Sequence, residues 1–184
     1  MCEEYFVGCF DVYFCSFLGR ECNAIKHEVL SYEAFSTSAN NIIEKDYNVD
    51  KAIFVSGYND LKMSKDHQRV LEKAKKSLSI ARRFYPNAKF VVSEVIIPLN
   101  ARAFAKEIEL FNQRLREFAK DNAHITFSTH PLINSHNHRH LFHRDGNHLS
   151  LDGQIQLASD LGRAAKGIRP LDYPIRPNTP KIKL

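Results

Sequence analysis

The sequence of 184 residues lacks any apolar run long enough to cross a membrane as a helix. Its first residues, Met1-Cys2-Glu3-Glu4, place no positive charge ahead of an apolar stretch, so they do not resemble a signal peptide. We therefore expect a chain without a membrane span and an intracellular, cytoplasmic location.

Cysteine is also scarce, and all four cysteines fall within residues 1–22. The spacings of Cys2, Cys9, Cys15 and Cys22 match neither a Cys-x-x-Cys zinc site nor a dense disulfide framework. We expect reduced thiols, and no pattern marks Cys15 as a catalytic thiol.

Histidine is clustered instead. A tract of this kind can bind zinc or nickel, but no cysteine or regular carboxylate pattern accompanies it, and Asn, Ser and Arg interrupt it. The sequence therefore predicts a solvated loop, no metal site and no cofactor. The clustered histidines are His130, His136, His138, His140, His143 and His148.

Length and a hydrophobic fraction of 43% fit one domain with its own core. From residue 169 onward the composition changes, because prolines alternate with arginine and lysine. We predict one domain over 1–168 and a basic, proline-rich tail without fixed structure over 169–184.

The domain has the alternating pattern of strands and helices that is typical of an α/β fold. Short apolar or β-branched runs predict strands, and apolar residues at helical spacing predict helices. The predicted strands cover residues 11–19, 52–56, 89–97 and 125–127. The predicted helices cover residues 24–35, 61–85 and 104–120, and a further helix follows Ser150.

One short motif, Asp145-Gly146-Asn147-His148, carries the pattern of a general base. An Asp three residues before a His, on a loop that enters a helix, can accept the hydrogen of the imidazole Nδ1. Nε2 then faces outward to take a proton from a nucleophile. His148 is thus the candidate base and Asp145 the group that orients it.

A second motif, Gly57-Tyr58-Asn59-Asp60, follows the predicted strand at 52–56. An Asn at the carboxyl end of a strand can offer its side-chain NH2 to a developing oxyanion, as acyl transfer requires. Asn59 is the candidate donor. Ligands of an open parallel sheet bind beyond the carboxyl ends of its strands, where both motifs are expected to lie.

The two motifs in this order resemble the SGNH hydrolases, also called the GDSL esterase/lipase superfamily, over roughly residues 12–165. The resemblance implies a three-layer α/β/α fold with a flavodoxin-like parallel sheet. It also implies hydrolysis of small-molecule carboxylic esters by a Ser-His-Asp mechanism. A looser likeness is to SGNH-like domains in animal gene models and mobile-element-encoded proteins, where Ser93-Glu94 before a proline and a helical Phe111-Asn112 recur.

The nucleophile of the superfamily is the serine of a Gly-Asp-Ser at the end of the first strand, and no Gly-Asp-Ser occurs in this chain. In one alignment, residues 11–19 are the second strand, Gly19 adds its backbone N–H to the oxyanion hole, and the first strand is missing. In the other, Ser16 is the nucleophile. About forty residues separate Ser16 from Gly57, room for one crossover unit where the family has two, which favours the first alignment. The expectation is a truncated or inactive esterase-like domain.

The basic character of the chain supports an alternative function. Its net charge is +5, and cations crowd the helix predicted at 61–85. Such a helix, with the tail, could bind nucleic acid or another anionic partner without catalysis. The oligomeric state is left open. The cations of this helix are Lys62, Lys65, Arg69, Lys73, Lys75, Lys76, Arg82 and Arg83.

Overall fold

The computed structural model describes the backbone of residues 11–18 and 21–28, residue 32, and residues 49–168 except 102 and 136. These residues form one five-stranded sheet with helices, so the α/β class is confirmed. The strands are β1 (Asp11–Leu18), β2 (Glu21–Glu28), β3 (Lys51–Phe54), β4 (Lys89–Ser93) and β5 (Ile125–Ser128). The helices are α1 (Tyr58–Ser64), α2 (His67–Phe84), α3 (Ala105–Lys120) and α4 (Leu151–Ala165), and a 3-10 turn spans Arg139–Leu141.

The sheet has the order β2-β1-β3-β4-β5, and β3, β4 and β5 run parallel. Phe54 pairs with Val92, and Val92 pairs with Phe127, so the carboxyl ends of these three strands meet at one edge. This parallel part agrees with the sheet that the sequence predicts.

Helices cover both faces of the parallel part. Phe90 and Val92 of β4 belong to the apolar cluster formed with α1, α2 and α3, whereas Val91 belongs to the cluster formed with α4. Alternate side chains of a strand point to opposite faces, so β4 is buried from both sides. The predicted three-layer arrangement is therefore confirmed for this part of the molecule.

The helix predicted across Ala24 and Ile25 is wrong, because both residues lie in β2, antiparallel to β1. Residues 19 and 20 alone separate the two strands, and so short a connection joins antiparallel strands. β1 also runs antiparallel to β3, with Val12 opposite Phe54. The predicted parallel arrangement thus does not extend to β1 and β2.

The single helix predicted over 61–85 is also wrong, because α1 ends at Ser64 and α2 begins at His67. Lys65 between them is left-handed, with φ at 51°, and the Asp66 side chain accepts hydrogen bonds from Gln68 N (3.0 Å) and Arg69 N (3.1 Å). These bonds satisfy N–H groups of the first turn of α2.

The remaining predicted elements differ only in length. The strand predicted over 89–97 ends at Ser93, because Val95 N and Ile97 N donate to the side chains of Asn112 and Asn134 and not to a neighbouring strand. Gly19, Cys2, Cys9, the predicted helical residues 29–31 and 33–35, and the predicted tail over 169–184 lie outside the described residues.

Candidate active site

Gly57 turns the chain from β3 into α1 at the carboxyl edge of the sheet. Its φ is +119°, and a Cβ there would lie 2.9 Å from Val95 Cγ2 and 3.2 Å from Phe111 Cε1. Only glycine adopts this conformation without strain and also fits the space. The first motif is therefore fixed at the start of α1, which places Asn59, partly exposed, in the first turn of that helix.

The last residue of this motif, Asp60, is buried and anchors a distant part of the chain. Its Oδ2 accepts a hydrogen bond from Tyr32 N (2.9 Å), and Ser77 Oγ of α2 donates to Tyr32 O (2.8 Å). Burial raises the pKa of the Tyr32 hydroxyl, and the nearby Asp60 carboxylate raises it further. Asp60 therefore has a packing role, holding Tyr32 against the helix turn that carries Asn59.

The second motif forms the pair that the sequence predicts. His148 Nδ1 lies 2.5 Å from Asp145 Oδ2, and Asp145 Oδ1 accepts hydrogen bonds from Asn147 N (2.9 Å) and His148 N (3.0 Å). The His148 side-chain hydrogen bond, followed by the two backbone bonds, holds the pKa of Asp145 well below its usual range. The carboxylate is thus kept ionised next to the imidazole.

This pair lies at the surface, since the side chains of His148 and Asp145 are 49% and 48% exposed. With Nδ1 turned toward the carboxylate, Nε2 is the nitrogen that can exchange a proton with a reacting group. His148 can therefore act as a general base, with the Asp145 carboxylate holding its ring in orientation.

A compact loop, residues 142–149, fixes the geometry of the pair. Phe142 and Leu149 form an antiparallel bridge, and His143 N donates to His148 O (2.8 Å). Gly146, with φ at +66°, makes the turn between them. Ser150 then caps α4 by accepting from Gly153 N (3.3 Å), so the loop is continuous with the helix.

A second loop, residues 94–101, supports the first from the side. Leu99 N donates to Gly146 O (2.8 Å), and Asn100 Nδ2 donates to Asp145 O (3.1 Å). The backbone of Asp145 and Gly146 is thus held from outside its own loop.

A hydrogen bond joins the two motifs. Tyr58 Oη donates to Asn147 Oδ1 (3.1 Å), although these residues are 89 positions apart in the sequence. The residue before Asn59 is therefore tied to the residue before His148. No pattern in the sequence indicates a role for Tyr58, which lies between Gly57 and Asn59 in the motif.

Ser16 is not brought to this edge. It follows Cys15, which pairs with Lys51 at the first residue of β3, whereas Asn59 follows the last residue of β3. The direction of β1 therefore places Ser16 at the opposite edge of the sheet from His148. Gly19, the other predicted oxyanion donor, lies outside the described residues.

The structure also contains a second His–Asp pair that the sequence did not indicate. His130 Nδ1 lies 3.1 Å from Asp160 Oδ2, and His130 Nε2 lies 2.8 Å from Ser93 Oγ. The sequence hints at this pair only on α4. There Gln156 and Asp160, one helical turn apart, are polar residues on the face that is otherwise apolar and buried.

Within the described residues, no three His, Cys, Asp or Glu side chains come together as a metal site. The described part of the chain also contains no helix with the length and apolarity needed to cross a bilayer.

Several solved structures resemble this chain, and two of those described below are carbohydrate esterases by name. A carbohydrate esterase of family 3 from Talaromyces cellulolyticus has a TM-score of 0.59 and 16% sequence identity, covering 75% of this chain and 69% of its own. A family 3 carbohydrate esterase from Clostridium thermocellum has a TM-score of 0.52 and 17% identity, covering 74% and 61%. A Streptococcus pneumonia protein named as a platelet activating factor has a TM-score of 0.55 and 17% identity, covering 74% and 67%.

No family model and no curated protein matches the sequence. The likeness to the solved structures is at the level of the fold, and the chain spans 61–69% of the length of the three structures described above. The fold is of the SGNH hydrolase type, as the two motifs predict.

Proposed function

We propose that this chain is an SGNH-type esterase-like domain whose site is built for carboxylic esters and lacks the usual serine. Its central support is the Tyr58–Asn147 hydrogen bond, which holds the His148–Asp145 pair beside the helix turn that carries Asn59. A base and an amide donor at one edge are two of the three parts that acyl transfer requires.

In this proposal His148 takes the proton from the attacking hydroxyl and returns it to the leaving alcohol. Asp145 holds the imidazole by its Nδ1 hydrogen and stabilises the imidazolium that forms. Asn59 donates to the oxyanion of the tetrahedral intermediate. No Gly-Asp-Ser supplies the attacking hydroxyl, so we infer that the chain by itself does not turn over esters.

Acetate binding tests the acyl site without requiring a nucleophile, since acetate is the acid product of an acetyl ester. We expect added acetate to shift the NMR signals of the Asn59 side-chain amide and the His148 ring together. In Asn59→Ala the His148 shift should weaken, whereas in Asn87→Ala, an exposed turn residue after α2, it should persist. Acetate shifts that spread over surface lysines and spare both residues would contradict the proposal.

A second candidate function, nucleic-acid binding, rests on the outer face of α2. This helix carries six Lys or Arg and one Glu, and Lys75 pairs with that Glu72 (2.9 Å). Arg69, Lys76 and Arg83 are exposed and recur at helical spacing, so they lie along one stripe of roughly 20 Å. A stripe of cations can follow the phosphates of a nucleic-acid strand.

The salt dependence of binding tests this candidate. If the stripe contacts three phosphates of single-stranded RNA, changing Arg69, Lys76 and Arg83 to Gln should reduce the slope of log affinity against log salt by about 2. A control with Lys106→Gln and Lys120→Gln on α3 should retain the wild-type slope. Equal slopes for all three proteins would exclude the stripe as the binding surface.

A further inference from the structure

The second His–Asp pair completes a Ser-His-Asp chain of hydrogen bonds inside the molecule. Ser93 ends β4, His130 follows β5, and Asp160 lies on α4. Their distances, 2.8 Å from Ser93 Oγ to His130 Nε2 and 3.1 Å from His130 Nδ1 to Asp160 Oδ2, are those of a catalytic triad. Their relative exposures are 1%, 0% and 0%, so no substrate reaches the hydroxyl.

The hydrogen bonds of this network are mutually dependent. Asp160 accepts from Gln156 Nε2 (3.0 Å) as well as facing His130 Nδ1. Ser93 Oγ lies 2.8 Å from both His130 Nε2 and the Glu94 carbonyl oxygen. The network lies against the apolar cluster between the sheet and α4, where losing one partner leaves another polar group buried without a bond.

Two structural routes lead from this network to the exposed pair. Glu94, next to Ser93, accepts from His130 N and from Asn134 Nδ2 (2.9 Å), and Asn134 Oδ1 accepts from Ile97 N (2.9 Å). These bonds shape the 94–101 loop, which in turn holds Asp145 and Gly146.

The second route runs through α4. Asp160 joins this helix to His130, the residue that follows β5, and accepts from Gln156 of the same helix. The cap of the helix, Ser150, lies two positions after His148. Ser150 N also donates to Leu141 O (3.0 Å), so a shift of the helix moves the loop that carries the pair.

We propose that His130, held between Ser93 and Asp160, is a positioning residue for the candidate base His148. The network seats both the 94–101 loop and α4, and together these set the hydrogen bond between His148 and Asp145. This inference rests on the proposed function for its biological meaning, although the positioning itself does not require catalysis.

The Nδ1 proton of His148 reports on this hydrogen bond directly and needs no substrate. In Ser93→Ala, and in Asp160→Asn as a second variant, we expect faster exchange of this proton with water, on the order of tenfold. Ser128→Ala is the matched control, because Ser128 is opposite Ser93 on β5 and equally buried, yet its hydroxyl has no hydrogen-bond partner among the described residues. Its His148 proton should exchange at the wild-type rate.

The measurement separates positioning from a purely structural role. If Ser93→Ala and Asp160→Asn lower the melting temperature but leave the exchange of the His148 proton unchanged, the proposal is overturned. If Asp160→Asn does not fold, Ser93→Ala alone decides. Because acetate binding is measured separately, the esterase proposal can fail while the positioning role stands, and the reverse also holds.

Discussion

At the scale of single residues, the candidate site depends on groups held in one geometry by several bonds. Asp145 accepts three hydrogens, one from the ring of His148 and two from the backbone. Gly57 provides a backbone conformation and a space that no other residue fits. The bonds of Asp145 lead to a prediction about how stability depends on pH. The space around Gly57 leads to a prediction about the effect of a larger side chain.

Asp145→Asn tests the ionised carboxylate. Its folded-state pKa lies below the ordinary value of 3.8, so its contribution to the free energy of unfolding is complete above that value. The contribution is lost as the pH falls through the lower, folded-state pKa. We expect Asp145→Asn to be less stable than the wild type at pH 7, with a difference that shrinks as the pH falls below 3.8.

Urea unfolding of both proteins across this pH range measures the difference. Asp121→Asn, an exposed carboxylate at the end of α3, serves as the control for the loss of one negative charge. A difference between wild type and Asp145→Asn that grows on acidification would contradict the assignment.

Gly57→Ala tests the turn into α1. The strained φ and the contact with Val95 should lower the free energy of unfolding by about 1–3 kcal/mol. Gly162→Ala on α4 is a matched control, because a Cβ there meets nothing within 4 Å and alanine favours the helix by roughly 0.5–1 kcal/mol. Chemical denaturation should therefore give opposite signs, and equal signs would show that the turn is not constrained.

At the scale of elements, the sequence pattern predicted α3 and α4 because apolar residues recur at helical spacing along each, and it predicted the parallel strands because each is a short apolar run. The break between α1 and α2 was missed although residues 64–69, which include the left-handed Lys65, carry no apolar side chain that could continue the stripe. Asp66 followed by helix formers was the available sign of a new start. β2 was predicted as part of a helix because Ala24 and Ile25 begin an apolar pattern with helical spacing. The pairing of β2 with β1 overrides that local pattern.

Asp66→Ala tests the start of α2 as a separate helix. Removal of the cap should cost about 1 kcal/mol of unfolding free energy, because Gln68 N and Arg69 N lose their acceptor. Gln68→Ala, in the same exposed turn, should change stability by less than roughly 0.5 kcal/mol. Equal losses in thermal or urea unfolding would mean that Asp66 does not cap the helix.

At the scale of the whole molecule, the sequence predicted the local parts of the candidate site and not its connections. Asp145 with His148, and Gly57 with Asn59, are short motifs whose chemistry can be read along the chain. The Tyr58–Asn147 bond and the buried Ser93–His130–Asp160 network join residues from separate elements, and no local pattern marks such contacts. The direction of β1, which moves Ser16 away from His148, likewise depends on strand pairing.

The central claim is that this chain keeps a base and an oxyanion donor but supplies no serine to them. Labelling the purified chain with a fluorophosphonate serine probe, with adducts mapped by mass spectrometry, tests this claim most directly. A known serine esterase treated in parallel shows that the probe is active, and His148→Ala shows which adducts depend on the base. We expect no adduct that depends on His148. A His148-dependent adduct on Ser16 would contradict the claim, and an adduct on Ser93 in the folded protein would show that the buried hydroxyl is reactive.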